Sequence, residues 1–285
     1  MKQTLKLASI CSGYGGLDLS VERHFKNKGF DVETVWFVEK DKKCSQILSH
    51  HWPDVPNYGD VKTVDWETVS QPDIMVAGYP CQPFSVAGNR LGEKDERSIF
   101  EYIAEGISTL RPKWVILENV QGHLSLGGAN VTSEVARLGY SLRYGIVRAS
   151  DAGAPHRRAR WFCIATDSSC ERYGSGEDDT EVGRVAGEVE SEAQQQRTWQ
   201  KPVHRVPKDY GEYATAIERW ERITRPAPDE LFDDDGAHSL FVEWMMGLPE
   251  GWVTGHGLTR SAELKMLGNG VVVQQGELAL KLLDN

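Results

Sequence analysis

The chain has 285 residues, 40% of them apolar and 26% charged, which is the composition of an ordinary globular protein and not of a disordered or fibrous one. No apolar run approaches the roughly 18 residues that a membrane span requires, and the N-terminus lacks the apolar segment of a signal peptide. The net charge of −10 does not exclude a nucleic-acid substrate, because the excess of acidic residues is concentrated in residues 171–192 and 229–235.

The first 166 residues alternate strand-like and helix-like segments. Strands are predicted from apolar runs at 5–11, 32–39, 73–80, 113–120, 141–149 and 158–166. Helices are predicted between several of them, at 17–25, 42–51, 98–110 and 129–138. This alternation predicts an α/β fold with a mostly parallel, doubly wound sheet. The strands are apolar nearly throughout, which indicates helices on both faces of the sheet.

The composition changes after residue 166. Residues 167–200 are rich in Ser, Gly, Glu and Gln, which is typical of an insert outside the core. Three further helices are predicted, at 212–223, 239–247 and 271–283. The segment Leu267-Gly268-Asn269-Gly270 is predicted to break the chain before the last of them. The chain therefore divides into 1–166, a variable region 167–237 and a C-terminal segment 238–285 that packs back on the first part.

A glycine-containing turn follows the first predicted strand, in the segment Cys11-Ser-Gly-Tyr-Gly-Gly-Leu-Asp18. Glycines between a strand and a helix let a ligand approach the backbone, and the helix N-terminus attracts an anion. Asp18 stands where a dinucleotide fingerprint needs its third glycine, and no Gly-Lys-Ser/Thr follows as in a phosphate-binding loop. A cofactor with a carboxylate and without phosphate suits this turn, and S-adenosylmethionine (SAM) is one.

Glu39, at the end of the second predicted strand, favours the same interpretation. An acid at that position can accept hydrogen bonds from both ribose hydroxyls of an adenosine-type cofactor. Considered separately, the segment is equally consistent with a plain tight turn, and Glu39 with a surface acid.

Cys81 and Glu118 each close an apolar predicted strand. In a parallel sheet the carboxyl ends of neighbouring strands line one crevice, which brings the thiol and the carboxyl to the glycine turn. The alternatives are structural: Cys81 as a small buried apolar residue, and Glu118 as a capping or salt-bridged acid. The five cysteines form no Cys-x-x-Cys pair, which predicts a reducing compartment without disulfides or structural zinc.

A basic cluster, His156-Arg157-Arg158-Ala159-Arg160, begins the sixth predicted strand. Alternation along a strand predicts that Arg158 and Arg160 point to the same face. Two guanidinium groups on a mostly apolar strand need an anionic or carbonyl partner. The alternative is a solvated strand end.

Together and in this order, the motifs resemble those of the DNA cytosine-5 methyltransferases. The matching segments are 12–19, Pro80-Cys81-Gln82, Glu118-Asn119-Val120, 156–160 and 267–271. The resemblance covers nearly everything except about 167–237. Three positions depart from the family pattern: Tyr79 replaces the usual Phe, His156 a Gln, and Gly270 a Ser or Ala. The resemblance implies a Rossmann-like SAM-dependent methyltransferase sheet with a small target-recognition lobe.

The implied reaction transfers a methyl group from SAM to C5 of a cytosine that is flipped out of the DNA duplex. Cys81 would be the nucleophile that attacks C6, and Glu118 would hydrogen-bond N3 and the exocyclic amine. Arg160 would hold the base O2, with Arg158 supporting the pocket or a nearby phosphate. The implied substrate-binding residues are Gln82, Ser85 and Asn119.

The resemblance also implies how SAM is bound. Residues 12–17 would surround the methionine part and Glu39 the ribose. Asp60, Val61 and Phe100 would contact the adenine, and Gly78 and Pro80 would lie under the sulfonium. Asn269 and Val271 would close the site from the C-terminus. The implied cofactor-binding residues are Ser12, Gly13, Tyr14, Gly15, Gly16, Leu17, Glu39, Asp60, Val61, Gly78, Pro80, Phe100, Asn269 and Val271.

The implied partner is double-stranded DNA. We predict the DNA-reading region at 199–224, together with the basic residues Arg197, Lys201, Arg205 and Lys208. We expect no metal and no membrane association, a monomer in the cytoplasm of a bacterium or phage-infected cell, and a cognate restriction endonuclease as a candidate partner. Three alternatives stay open: a tRNA cytosine-5 methyltransferase, a non-catalytic nucleic-acid-binding protein of the same fold, and a thiol hydrolase using Cys81 with His156.

Overall fold

A single sheet of six strands forms the centre of the computed structural model, which describes residues 2–80, 98–169, 210–229, 231–233 and 236–284. The strands are β1 Thr4–Ile10, β2 Asp31–Val38, β3 Ile74–Ala77, β4 Trp114–Val120, β5 Tyr140–Arg148 and β6 Ala159–Asp167. Their order is β2-β1-β3-β4-β6-β5. The pairs β1–β2, β1–β3 and β3–β4 are parallel, whereas β6 is antiparallel to β4 and β5. The predicted α/β fold with a mostly parallel sheet is confirmed.

Eight α-helices lie in the described part of the chain. They are α1 Gly16–Asn27, α2 Lys42–His51, α3 Ile99–Leu110, α4 Ala129–Arg137, α5 Ala214–Ile223, α6 Ser239–Met245, α7 Arg260–Asn269 and α8 Val273–Leu283. A short hairpin joins β7 Phe232–Asp233 and β8 Gly236–Ala237. None of these helices is long and apolar enough to cross a membrane.

Several predictions fall on parts of the chain outside the described residues. They are Cys81, Gln82 and Ser85, residues 170–209 of the predicted insert, and the basic residues proposed to read DNA, Arg197, Lys201, Arg205 and Lys208. Within the described ranges, no cluster of three or more His, Cys, Asp or Glu side chains could hold a metal ion.

Helices cover both faces of the sheet. On one face Met75, Ala77 and Leu117 pack in an apolar cluster with α3. On the other face Val76 and Ile116 pack in a cluster with α1 and α8. Because side chains alternate along a strand, residue 118 continues the face of Ile116 and therefore points toward α1 and α8.

Two details of the strands differ from the predictions. β3 ends at Ala77, three residues before Pro80. β4 has nearly its predicted bounds, but Glu118 lies inside this strand, opposite Phe162 of β6, and does not close it. The prediction that Arg158 lies in a strand is wrong. Its φ of 30° is outside the β region, and β6 begins only at Ala159.

The C-terminal segment packs against α1 on one face of the sheet and also contributes to a third apolar cluster. α8 lies along α1, where Asp284 pairs with His24 (2.7 Å) and Lys28 (2.6 Å). Burial raises the pKa of the Asp284 carboxyl, but the hydrogen bonds from His24 and Lys28 outweigh it and hold the pKa below its usual range. The third cluster contains Tyr14, Trp220, Trp244 and Val272. Residues far apart in sequence therefore surround the start of α1.

Glu243 is fully buried on α6 and organises the loop that follows it. Its carboxylate accepts hydrogen bonds from the backbone N–H groups of Gly251 (2.9 Å), Val253 (2.6 Å) and Thr254 (3.0 Å). Glu243→Ala would leave these donors buried and unpaired, so we expect a loss of roughly 3–5 kcal/mol in the free energy of unfolding, measured by urea denaturation. Glu250→Ala is the control, because exposed Glu250 shares the partner Arg225; a similar loss in both variants would contradict the assignment.

Candidate active site

The turn between β1 and α1 has the backbone conformation that its glycines suggest. Cys11, Gly13 and Gly15 have positive φ angles of 53°, 58° and 82°. Gly15 also lacks room for a side chain, because a Cβ atom would lie 2.6 Å from Cη2 of Trp52. Gly15, the N-cap residue of α1, has no side chain to cap the helix, so N–H groups at its start are available to an anionic ligand.

Glu39 joins this turn to the end of β2. One carboxylate oxygen accepts from the Gly13 N–H (2.9 Å) and the other from the Asp41 N–H (2.8 Å). Burial raises the pKa of Glu39, and the two backbone donors partly offset this. The acid is therefore directed at the glycine turn and is not a free surface carboxylate.

Three predicted adenine contacts lie on the α3 side of this turn. Val61 and Phe100 are buried in one apolar cluster, against which Cys11 also packs. Asp60 begins the short 3-10 helix Val61–Thr63, where its carboxylate accepts from the Lys62 N–H (3.1 Å). Together these residues form an apolar wall with a polar edge beside Glu39.

Glu118 is the buried acid of the crevice. Only 6% of its surface is exposed, and burial raises the pKa of Glu118 to about 7, even though Arg160 and Arg158 lower it. Arg160 Nε lies 3.0 Å from Glu118 Oε1. Arg160 lowers the pKa of Glu118 through this contact, yet Oε1 accepts no hydrogen bond that meets strict distance and angle criteria among the described residues. A carboxyl with an unsatisfied oxygen is ready to bind a polar ligand.

Gly78 keeps a space open between the glycine turn and Glu118. A Cβ atom at this position would lie 3.6 Å from the Cys11 carbonyl oxygen and 3.7 Å from Glu118 Oε2. The end of β1, the end of β3 and the middle of β4 therefore meet around residue 78. This is the crevice predicted from the parallel strands.

Arg158 and Arg160 have the partners that the sequence analysis required, but they reach them differently. Arg160 faces the Glu118 carboxyl, whereas Arg158 donates to the carbonyl oxygens of Gly268 (2.8 Å) and Gly270 (2.5 Å). The backbone oxygen of Arg158 in turn accepts from Gln275 Nε2 (2.7 Å). Arg158 thus holds the C-terminal segment, and its contact with a base or phosphate stays a prediction.

The residues around the end of β3 include one that sequence analysis missed. Asn119 Nδ2 donates to the Tyr79 carbonyl oxygen (3.0 Å), so its amide anchors the backbone just before Pro80. The Tyr79 hydroxyl lies 2.9 Å from Nε2 of His123, a buried residue that no motif marks. The hydroxyl that distinguishes Tyr79 from the usual Phe was the one available signal for such a partner. Substrate contact by Asn119 stays a prediction.

The structure therefore brings together most of the described predicted site residues. The glycine turn, Glu39, Gly78, Glu118 and Arg160 surround one crevice. From the C-terminal segment, Val271 is buried and reaches Tyr14, whereas Asn269 is exposed at the end of α7. The roles of these residues toward a cofactor or substrate stay predictions.

A comparison with sequence models of known families identifies the family of this chain. The sequence model described as C-5 cytosine-specific DNA methylase matches residues 5–226, which include the glycine turn, Glu118 and Arg160. The chain belongs to the C-5 cytosine-specific DNA methylase family. The family suggested by the order of the motifs is thereby confirmed.

Several type II methyltransferases are similar to this methylase. M.NgoMIV from Neisseria gonorrhoeae is 31% identical over 243 residues, which cover 83% of this chain and 75% of that protein. M.HhaI from Haemophilus parahaemolyticus is 30% identical, over 59% of this chain and 52% of that protein. M.NlaIV from Neisseria lactamica is 30% identical, over 56% of this chain and 41% of that protein. The match thus spans about half or less of two of these relatives.

Solved structures share the fold of the methylase over almost its whole length. DNMT2 from Spodoptera frugiperda superposes with a TM-score of 0.67 at 15% identity, covering 99% of this chain and 100% of that chain. The S. pombe Dnmt2 methyltransferase gives a TM-score of 0.66 at 19% identity, covering 98% and 99%. At these identities the likeness shows the fold alone.

The described residues fit SAM, the cofactor that membership of this methylase family implies. The uncapped N–H groups at the start of α1 suit the methionine carboxylate, and Glu39 suits the ribose hydroxyls. Val61 and Phe100 offer an apolar surface for an adenine ring. The absence of a side chain at Gly78 leaves room between these groups and Glu118.

Proposed function

We propose that the chain is a SAM-dependent DNA cytosine-5 methyltransferase. The observation that supports this most strongly is Glu118: a buried carboxyl with a pKa near 7, beside an arginine and across Gly78 from the glycine turn. An acid in this state can donate a proton at neutral pH, and its position is that of a group facing both a base and a cofactor.

Cys81 directly follows Pro80 and is the proposed nucleophile. Its thiolate forms a bond to cytosine C6, and the electron pair of the C5–C6 double bond becomes available at C5. When bound, SAM would supply the electrophilic methyl group for C5, and its sulfur would leave as the neutral thioether. A base then removes the C5 proton, the double bond is restored, and the Cys81 thiolate leaves C6.

Glu118 and Arg160 act on the polar edge of the base. As the thiolate adds, negative charge develops on the ring, and the protonated Glu118 carboxyl neutralises it by donating to N3. Its other oxygen accepts from the exocyclic amine. Arg160 stays close enough to Glu118 to donate to the base O2 while limiting the rise of the Glu118 pKa.

The proposed substrate is duplex DNA, with the target cytosine flipped out of the stack at a cost of a few kcal/mol. This choice is supported by the relatives, which are named type II methyltransferases. The same names support two further proposals: a bacterial cytoplasmic location, and a restriction endonuclease as a candidate partner. The part of the chain that selects the DNA sequence is proposed to lie within 167–237.

Bisulfite sequencing of DNA from cells that express the chain tests the proposal. We expect cytosines in one short recurring sequence to resist conversion. In cells that express Cys81→Ser, we expect all of these cytosines to be converted. A parallel assay offers duplex DNA and transcribed tRNA with radiolabelled SAM. Label in tRNA but not in DNA would favour the RNA alternative, and label in neither would overturn the proposed function.

A further inference from the structure

Residues 268–271, which we name the crossing segment, comprise the last two residues of α7 and the first two of the link to α8. They lie between the glycine turn and the start of β6. The Tyr14 hydroxyl donates to the Val271 carbonyl oxygen (2.7 Å) from one side. Arg158 donates to the Gly268 and Gly270 carbonyl oxygens from the other. The crossing segment is thus fastened at once to the cofactor turn and to the arginine motif.

The Tyr14 ring fills the space that a side chain on residue 270 would need. A Cβ atom on Gly270 would lie 2.0 Å from Cε1, 2.3 Å from Cζ and 2.4 Å from the hydroxyl oxygen of Tyr14. On the opposite edge, a Cβ atom on Gly16 would lie 2.6 Å from Cε2 of the same ring. Because the ring is only 1% exposed and Trp252 Nε1 donates to the Tyr14 carbonyl oxygen (2.9 Å), the ring has little freedom to move away.

The match also explains a departure from the family pattern. Gly270 stands where a Ser or Ala is usual, and the space that such a side chain would fill is here occupied by Tyr14. The two positions lie at opposite ends of the chain, so only the fold relates them.

We propose that Tyr14 is a positioning residue that, paired with Gly270, sets the geometry of the cofactor turn through the crossing segment. Tyr14 is flanked by Gly13 and Gly15, whose conformations shape the turn, so a shift of its ring displaces the backbone that would hold SAM. The inference rests on the proposed function, because it assigns Tyr14 a role in SAM binding.

A double-mutant cycle tests the pairing. Gly270→Ala forces a methyl group against the ring, so we expect SAM affinity, measured by titration calorimetry, to fall at least tenfold, with a lower Tm. Tyr14→Leu removes the distal ring atoms and the hydroxyl, and Tyr14→Leu/Gly270→Ala should bind SAM more tightly than Gly270→Ala alone. Tyr14→Phe removes only the hydrogen bond and should weaken SAM binding several-fold.

The chain offers a matched control in the same segment. A Cβ atom on Gly268 would meet nothing within 4 Å, so Gly268→Ala should keep SAM affinity within about twofold of the wild type. In steady-state assays Gly270→Ala should raise the KM for SAM and leave the KM for DNA unchanged, which general destabilisation would not do.

The outcomes separate this inference from the proposed function. Additive effects of Tyr14→Leu and Gly270→Ala on SAM affinity, or an equal loss in Gly268→Ala, would overturn the pairing even if the wild type methylates DNA. A wild type that binds SAM but methylates no DNA would overturn the proposed substrate. The double-mutant cycle, measured as SAM affinity, would still test the pairing of Tyr14 with Gly270. A wild type that does not bind SAM would overturn both.

Discussion

Cys81→Ser is expected to abolish methyl transfer, with a fall in turnover of at least 10⁴-fold, while SAM affinity stays within about twofold. A serine hydroxyl is rarely ionised near neutral pH and is a much poorer nucleophile toward C6 than a thiolate. Radiolabelled methyl transfer to duplex DNA measures turnover, and titration calorimetry measures SAM binding. Denaturing electrophoresis with 5-fluorocytosine DNA should show a protein–DNA adduct for the wild type and none for the variant.

Cys44→Ser serves as the control for the loss of a thiol. Cys44 lies on α2, and burial and neighbouring acids raise the pKa of its thiol to about 12, so it carries no thiolate at neutral pH. Its replacement should leave both turnover and the adduct unchanged. Full turnover by Cys81→Ser, or an adduct that persists in that variant, would refute the nucleophile assignment.

Glu118→Gln is expected to slow the covalent step by about 10²–10⁴-fold, the range typical of a lost general acid. Burial raises the pKa of Glu118 to about 7, so the carboxyl is protonated below this pH and ionised above it. Ionisation of Glu118 should therefore lower the single-turnover rate of the wild type above pH 7, against the gain from ionisation of the Cys81 thiol. The variant cannot ionise at this position and should lack that part of the pH profile.

Glu118→Gln should also change how the thermal stability of the protein depends on pH. The pKa of Glu118 is higher in the folded chain than its ordinary value of 4.5, so ionisation is less favourable when the chain is folded. The contribution of Glu118 to stability is fully present below pH 4.5 and is lost as the pH rises to about 7. Between pH 5 and pH 8 the Tm of Glu118→Gln should accordingly fall less than that of the wild type.

Glu134→Gln is the matched control, because Glu134 lies on the surface of α4 in a pair with Arg137. It should change neither the rate nor its dependence on pH. A wild-type rate with an unchanged pH profile in Glu118→Gln would remove Glu118 from the proposed mechanism.

The sheet and most helices could be predicted because the relevant signal is local. Most strands contain a short apolar run, although β5 carries Ser141, Arg143 and Arg148, and α1 to α4 begin and end close to the predicted bounds. α7 was missed for a local reason too. Buried Glu263 interrupts its apolar face, and Gly268 and Asn269 indicate a break although both lie in the last helical turn.

The candidate site was predictable only as far as strand ends determine it. Parallel pairing places Gly78 and the glycine turn in one crevice, so the order of motifs was sufficient to predict it. The partner of each polar group was not predictable. Arg160 meets Glu118 through an antiparallel pairing, and Arg158 leaves the strand in a positive-φ conformation toward carbonyl groups of the C-terminal segment. The contact between Tyr79 and His123 has no sequence motif at all.

The position of the crossing segment in the chain has a consequence for the timing of activity during synthesis. All six strands of the central sheet have been synthesised once the ribosome has passed Asp167. Val271, which accepts the hydrogen bond of Tyr14, lies 257 residues after Tyr14 and is synthesised much later. A nascent polypeptide can therefore assemble its sheet while the carbonyl groups that hold Tyr14 and Arg158 have not yet been translated. If the proposed function holds, we expect DNA methylation only after translation has passed Val271.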